Sequence, residues 1–268
     1  MRVKLIQLAF TVLFASVASG QAPAEESVDR VFHFTHVETP QGFQEIATVM
    51  RTVAGIRQLS VSMATRALAM RGTADQAALA GWLFNELDKP TTGAQESQNS
   101  GVHEYRVPGS SDDVVRVFYL THTDTAQGLQ EIVTVLRTVA EIQRIFSCNV
   151  PRSVALRGTA EQMAVAEWLF NALDKAASGQ SLARLGQDSG MYEYRVTGNS
   201  DDVLRVFYLT HTDTVQGLQE IVTTIRTIAD IQRIFVCNAS RALTLRGTVD
   251  QVARSARLIE ELDRPGAR

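Results

Sequence analysis

VFYLTHTDTAQGLQEI runs from Val117 to Ile132, and VFYLTHTDTVQGLQEI runs from Val206 to Ile221. A looser copy, VFHFTHVETPQGFQEI, runs from Val31 to Ile46. The copies start 86 and then 89 residues apart. His36, His122 and His211 align, as do Gly72, Gly158 and Gly247, so the difference in spacing falls between the copies. Repetition at a fixed interval means one folding unit used several times. Each unit is about 60 residues long, and a domain that small is marginal alone because it buries only about 60% of its extended surface. Contact between units is therefore expected to help.

Within the second copy, Arg116 to Leu120 is an apolar run expected to form a buried strand. Thr125 then precedes Leu129, Ile132, Val133, Leu136 and Val139, whose spacing gives a helix one apolar face. The first copy places Pro40 after the equivalent Thr39, and proline suits a first helical position because its missing N–H would be unpaired there. Ile142 to Cys148 and Ser153 to Leu156 read as strands around a turn. Thr159 followed by Gln162 is a capping box, repeated as Thr73/Gln76 and Thr248/Gln251. A helix with Ala166, Leu169, Phe170 and Leu173 on one face closes the unit. The order is strand, helix, strand, strand, helix. Copies two and three add a strand-like segment upstream, HEYRV (residues 103–107) and YEYRV (residues 192–196); copy one lacks it.

The expected architecture is α+β, with three tandem βαββα modules joined by flexible linkers. The modules fall at residues 29–90, 102–175 and 191–265, with linkers at 91–101 and 176–190. Residues 1–20 read as a secretory signal peptide: Arg2 and Lys4 precede an apolar run, and Ala18, Ser19 and Gly20 follow it. Cleavage is expected between Gly20 and Ala24. The mature chain should then be periplasmic or secreted, with no transmembrane segment. A net charge of −3 excludes the basic surplus that drives phosphate-backbone binding. Nucleic acid is not an expected partner.

The VFYL start (Val206 to Leu209), the strand ending Leu243-Thr244-Leu245-Arg246-Gly247-Thr248 and the helix ending at Leu258 to Asp263 resemble the periplasmic N-domain repeats of secretins. Those are ring proteins of type II, type III and type IV pilus systems. The resemblance extends over all three modules. It implies a KH-like fold that builds rings or docks protein partners through its sheet edge and helices. The RNA-clamping GXXG of true KH domains is missing. Five residues follow Asp263, so no counterpart of the secretin β-barrel domain is expected, and an accessory or stand-alone role is expected rather than a pore.

Few residues invite chemistry. His36/Glu38, His122/Asp124 and His211/Asp213 place an imidazole beside a carboxylate, a pairing suited to metal binding or acid–base work. No second His or Cys cluster accompanies them, and helix capping is the favoured reading. No cofactor is expected. Cys148 and Cys237 occupy equivalent places in copies two and three. A bridge within the chain, a bridge between chains and buried free thiols all remain open, the last favoured. Arg71, Arg157 and Arg246 end the third strand and read as exposed charges.

Leu79 and Trp82 align with Val165 and Trp168, and copy three has Arg254 and Arg257 there. That stripe is expected to be an interface in modules one and two and a polar terminal cap in module three. The favoured function is a non-enzymatic exported scaffold that self-associates or binds protein, accessory to an envelope secretion or pilus-type assembly. The alternative is an exported ligand- or metal-binding protein, hydrolytic in one version, using the repeated histidines.

Overall fold

The computed structural model describes residues 27–90, 103–110, 112–174, 193–196 and 202–264. The expected signal peptide and both linkers lie outside the described residues. Each module is a small antiparallel sheet carrying two helices on one face. Module one has β1 (Val28–His33), α1 (Pro40–Thr52), β2 (Gln58–Ser62), β3 (Ala67–Gly72) and α2 (Ala74–Leu87). Module two has β4 (Glu104–Arg106), β5 (Asp113–Tyr119), α3 (Ala126–Thr138), β6 (Arg144–Cys148), β7 (Ser153–Thr159) and α4 (Ala160–Leu173). Module three repeats this with β8 (Glu193–Arg195), β9 (Asp202–Tyr208), α5 (Val215–Ile228), β10 (Arg233–Cys237), β11 (Ala242–Thr248) and α6 (Val249–Leu262). The strand orders are β1-β3-β2, β4-β5-β7-β6 and β8-β9-β11-β10, all antiparallel. The three-module α+β architecture read from the sequence is what the chain adopts. Strand β5 starts at Asp113 rather than Arg116, because its first residues pair with Gly158 and Thr159 beyond the expected end of β7.

Local chemistry sets the helix boundaries. Thr39, Thr125 and Thr214 each accept a hydrogen bond from the N–H three residues on, at Gly42, Gly128 and Gly217. Glycine is required there: a Cβ on Gly42 would lie 2.5 Å from Cγ1 of Val37. All three capping boxes form. The capping glutamine has a second task. Its Nε2 donates to the carbonyl of Gly55, Glu141 or Asp230, each in the left-handed region just past the first helix.

The modules stack in a single order. Val114, Ile145, Val154 and Leu156 face their own helices. Val115, Val117, Tyr119, Cys148 and Ala155 point to the opposite face of the same sheet and share a core with the helices of module one. In the same way, Leu204, Val206, Tyr208, Cys237 and Ala242 join the core of module two. The layers therefore run sheet, helices, sheet, helices, sheet, helices. Both inner helix layers are sandwiched between sheets, and the continuous apolar runs of β5 and β9 reflect strands covered on both faces.

Candidate interaction surfaces

Each junction is built from the same side chains. Glu45, on α1 and only 8% exposed, accepts from Asn149 through its backbone N (2.8 Å) and its side chain. Glu131 on α3 takes the same contacts from Ala239 N and Asn238 Nδ2. Arg157 reaches back to the carbonyl of Val53, at the end of α1, while its guanidinium pairs with Asp113. Arg246 does likewise with Val139 O and Asp202 (3.2 and 3.1 Å). The expectation that these arginines are exposed strand-end charges is corrected: the Arg157 and Arg246 side chains are 15% and 10% exposed, because the preceding module covers them. Their work is to satisfy helix-end carbonyls left without intrahelical donors. The Tyr119 hydroxyl donates to Glu86, and the Tyr208 hydroxyl to Ala172 O, both on the preceding module.

Leu79 and Val165 are buried at these junctions, in the cores shared with the following sheet. Trp82 and Trp168 are half-buried. Trp82 lies 5.6 Å from the ring of Tyr105 on β4, and Trp168 lies 5.8 Å from Tyr194 on β8. The short extra strands thus extend the sheet over the preceding module's last helix. In module three the equivalent Arg254 and Arg257 are exposed.

The two ends of the stack differ from its inside. The outward face of sheet one carries Asp29, Val31, His33, Gln58, Ser60 and Ser62 where module two has Val115, Val117, Tyr119, Arg144, Phe146 and Cys148. Asp29 and Arg71 pair across it at 2.6 Å, and Arg71 holds the Asp29 carboxyl below its usual range. At the other end, Thr224, Arg254, Arg257 and Glu261 stand where module two has Val135, Val165, Trp168 and Ala172. Glu220, the third copy of the clasp glutamate, is exposed. The exceptions are Val31, 58% exposed on the face of sheet one, and Ile228, 56% exposed in the place of the buried Val139.

The repeated histidines sit in a turn tied to the end of their own module. Asp88, just past α2, accepts from the N–H groups of Thr35, His36 and Val37 and from the Thr35 hydroxyl, at 2.7–3.0 Å. Nδ1 of His36 lies 2.8 Å from the Asp88 carbonyl oxygen. Burial alone would push the Asp88 carboxyl up, but the four donors hold it below its ordinary value. Asp174 and Asp263 make the same set around His122 and His211. Glu38 instead meets Arg66 at 3.5 Å on the surface, and Asp124 and Asp213 are exposed. The three histidines belong to three separate modules and share no site. Among the described residues no three His, Cys, Asp or Glu side chains gather as a metal ion would need. An open cleft of about 430 Å³ lies beside His122, Asp124 and Glu131, against Asn238 and Ser240 of module three. At the first junction bulkier Val37, Val150 and Pro151 occupy the places of Thr123, Ala239 and Ser240.

Cys148 and Cys237 are free and buried. Burial raises both thiols, Cys237 to about 11 and Cys148 further. No described helix is long and apolar enough to cross a membrane.

No family model and no curated protein matches the chain. Solved structures similar to it include the pilotin–secretin AspS–GspD complex of ETEC (14% identity, TM-score 0.21), ExeD of Aeromonas hydrophila (16%, 0.21) and the type II secretion system secretin GspD of E. coli K12 (13%, 0.20). Each alignment covers 90% of this chain but only 39%, 42% and 40% of the other, so the chain spans about two fifths of their length. Identities this low transfer no residue role.

Proposed function

We propose that the chain is a non-enzymatic, exported protein-docking scaffold, accessory to an envelope assembly of the secretion or pilus type. One observation carries this reading: the chain's polar and aromatic side chains of note are committed to holding three layers in a fixed pile. The histidines brace turns, the aspartates tie turn to helix end, and the arginines cap the preceding module. Glu45 and Glu131 clasp the next one. A rigid stack with polar end faces does not grow indefinitely, because a polar terminal layer stops further stacking. It offers its sheet edges and long sides to partners instead. The sequence resemblance to secretin N-domains supports the envelope setting.

The test is cross-linking of the tagged full-length chain in its native envelope, with a mass measurement of the purified protein. A defined protein partner and a metal-free chain are expected. Stoichiometric zinc that disappears in the triple variant His36→Ala, His122→Ala, His211→Ala, with no cross-linked protein, overturns the reading in favour of a metal-binding protein.

A further inference from the structure

Modules two and three each protect the outer edge of their sheet with a three-residue strand. β4 covers β5 and β8 covers β9 in the same register, with Tyr105 opposite Val115 and Tyr194 opposite Leu204. The backbone bonds flanking β4 run from Val107 N to Asp113 O and from Val117 N to His103 O. A specific ion pair fixes each covering strand. Glu104 meets Arg116 at 2.8 Å, and Glu193 meets Arg205. Arg116 and Arg205 lie directly opposite these glutamates.

Among the described residues module one keeps the receiving half and lacks the covering half. β1, among the described residues, is an edge strand six residues long, bonded on one side only, to β3. By the register of its sister modules, the N–H of Val31 and both backbone groups of Asp29 line the open edge. Arg30 is the counterpart of Arg116 and Arg205. It is exposed and makes no hydrogen bond or ion pair with any described residue. An unprotected edge of this length is a template for strand addition.

We propose that β1 accepts an antiparallel strand from another protein, with a carboxylate side chain opposite Arg30. The chain itself shows twice how this slot is filled, and the unmatched positive charge selects an acidic strand. This rests on the docking-scaffold reading and gives its partner a chemistry. The chain's own residues 21–26 are the competing occupant. They compete poorly, because a two-residue turn before Val28 would set Pro23, which carries no carboxylate, opposite Arg30.

The probe is a synthetic peptide of residues 102–108 (VHEYRVP), titrated into isotopically labelled residues 21–268 and followed by amide shifts. Shifts centred on Asp29 to Val31 are expected. Arg30→Glu, whose exposed site leaves folding intact by circular dichroism, should weaken binding about fivefold, the scale of a partly exposed ion pair. A peptide with its glutamate changed to arginine should restore binding to that variant. Shifts confined elsewhere, equal binding by Arg30→Glu, or binding seen only after deletion of residues 21–26 would each overturn the proposal. If the peptide fails while envelope cross-linking still finds a protein partner, the scaffold reading stands and the strand slot falls.

Discussion

Arg157 of the second module donates to the carbonyl oxygen of Val53 in the first, so a strand-end charge of one repeat finishes a helix of another. Arg246 and Val139 repeat the arrangement at the second junction. Replacing Arg246 with Met should cost about 2–3 kcal/mol, since it strips a nearly buried charge from Asp202 and a donor from the carbonyl oxygen of Val139. Urea denaturation should show the loss. Arg71→Met, at the free end of the stack, should leave the urea midpoint nearly unchanged, as expected of an exposed pair.

Asp88 gathers three backbone N–H groups and a hydroxyl, and its carboxyl is held below its unfolded value. A group shifted down contributes stability that is complete above its unfolded pKa, about 3.9, and is lost as pH falls through its folded value. Module one should therefore lose stability below about pH 4 by this route. Asp88→Asn should flatten that part of the acid limb. It should also lower stability near pH 7 by about 1–3 kcal/mol, because it removes the charged acceptor.

Trp168 rests against Tyr194, and its counterpart in module three is Arg257. Trp168→Arg should destabilise the chain by about 2–3 kcal/mol through lost aromatic contact and burial. Arg257→Trp should leave stability nearly unchanged, because no layer follows it. Unchanged stability in Trp168→Arg, read by thermal and urea melts, would show that the ring contact contributes nothing.

Cys237 titrates near 11 and Cys148 higher, both through burial. At pH 8 only about one Cys237 in a thousand is thiolate, so neither cysteine should react with an alkylating reagent in the native state. Both should react once urea unfolds the chain, and mass spectrometry of the alkylated protein checks this.

Asp230 occupies the left-handed position that Gly55 holds in module one. Asp230→Gly should stabilise module three by roughly 0.5–1 kcal/mol by relieving that backbone, as measured by its melting temperature.

The modules were readable in the sequence because their signals are local. The Thr159–Gln162 box, the apolar face of α3 and the Thr125 cap act over three or four residues. The stacking was not readable in the same way. The run from Val114 to Tyr119 shows that both faces of β5 are covered, yet nothing in it says that one face meets α1 of another module. Arg157 reads as an exposed charge for the same reason, since its acceptor lies 104 residues away. The partner of the repeated histidines is hidden in the same way. Asp88 looks like an ordinary helix end, and the available signal was its constant interval of 52 residues from His36, kept in His122/Asp174 and His211/Asp263.

The unlike ends of the pile bear on how such a chain could lengthen. A fourth unit placed before Val28 would meet Asp29, Ser60 and Ser62 around a lone Val31, and one placed after Leu262 would meet Arg254 and Arg257 beside a lone Ile228; neither surface offers a continuous apolar seat. A duplicate of the middle unit, inserted between its neighbours, would find a clasp, an arginine and a tyrosine waiting on both sides. Length in this architecture is therefore gained from the interior, while the two termini keep the roles they have.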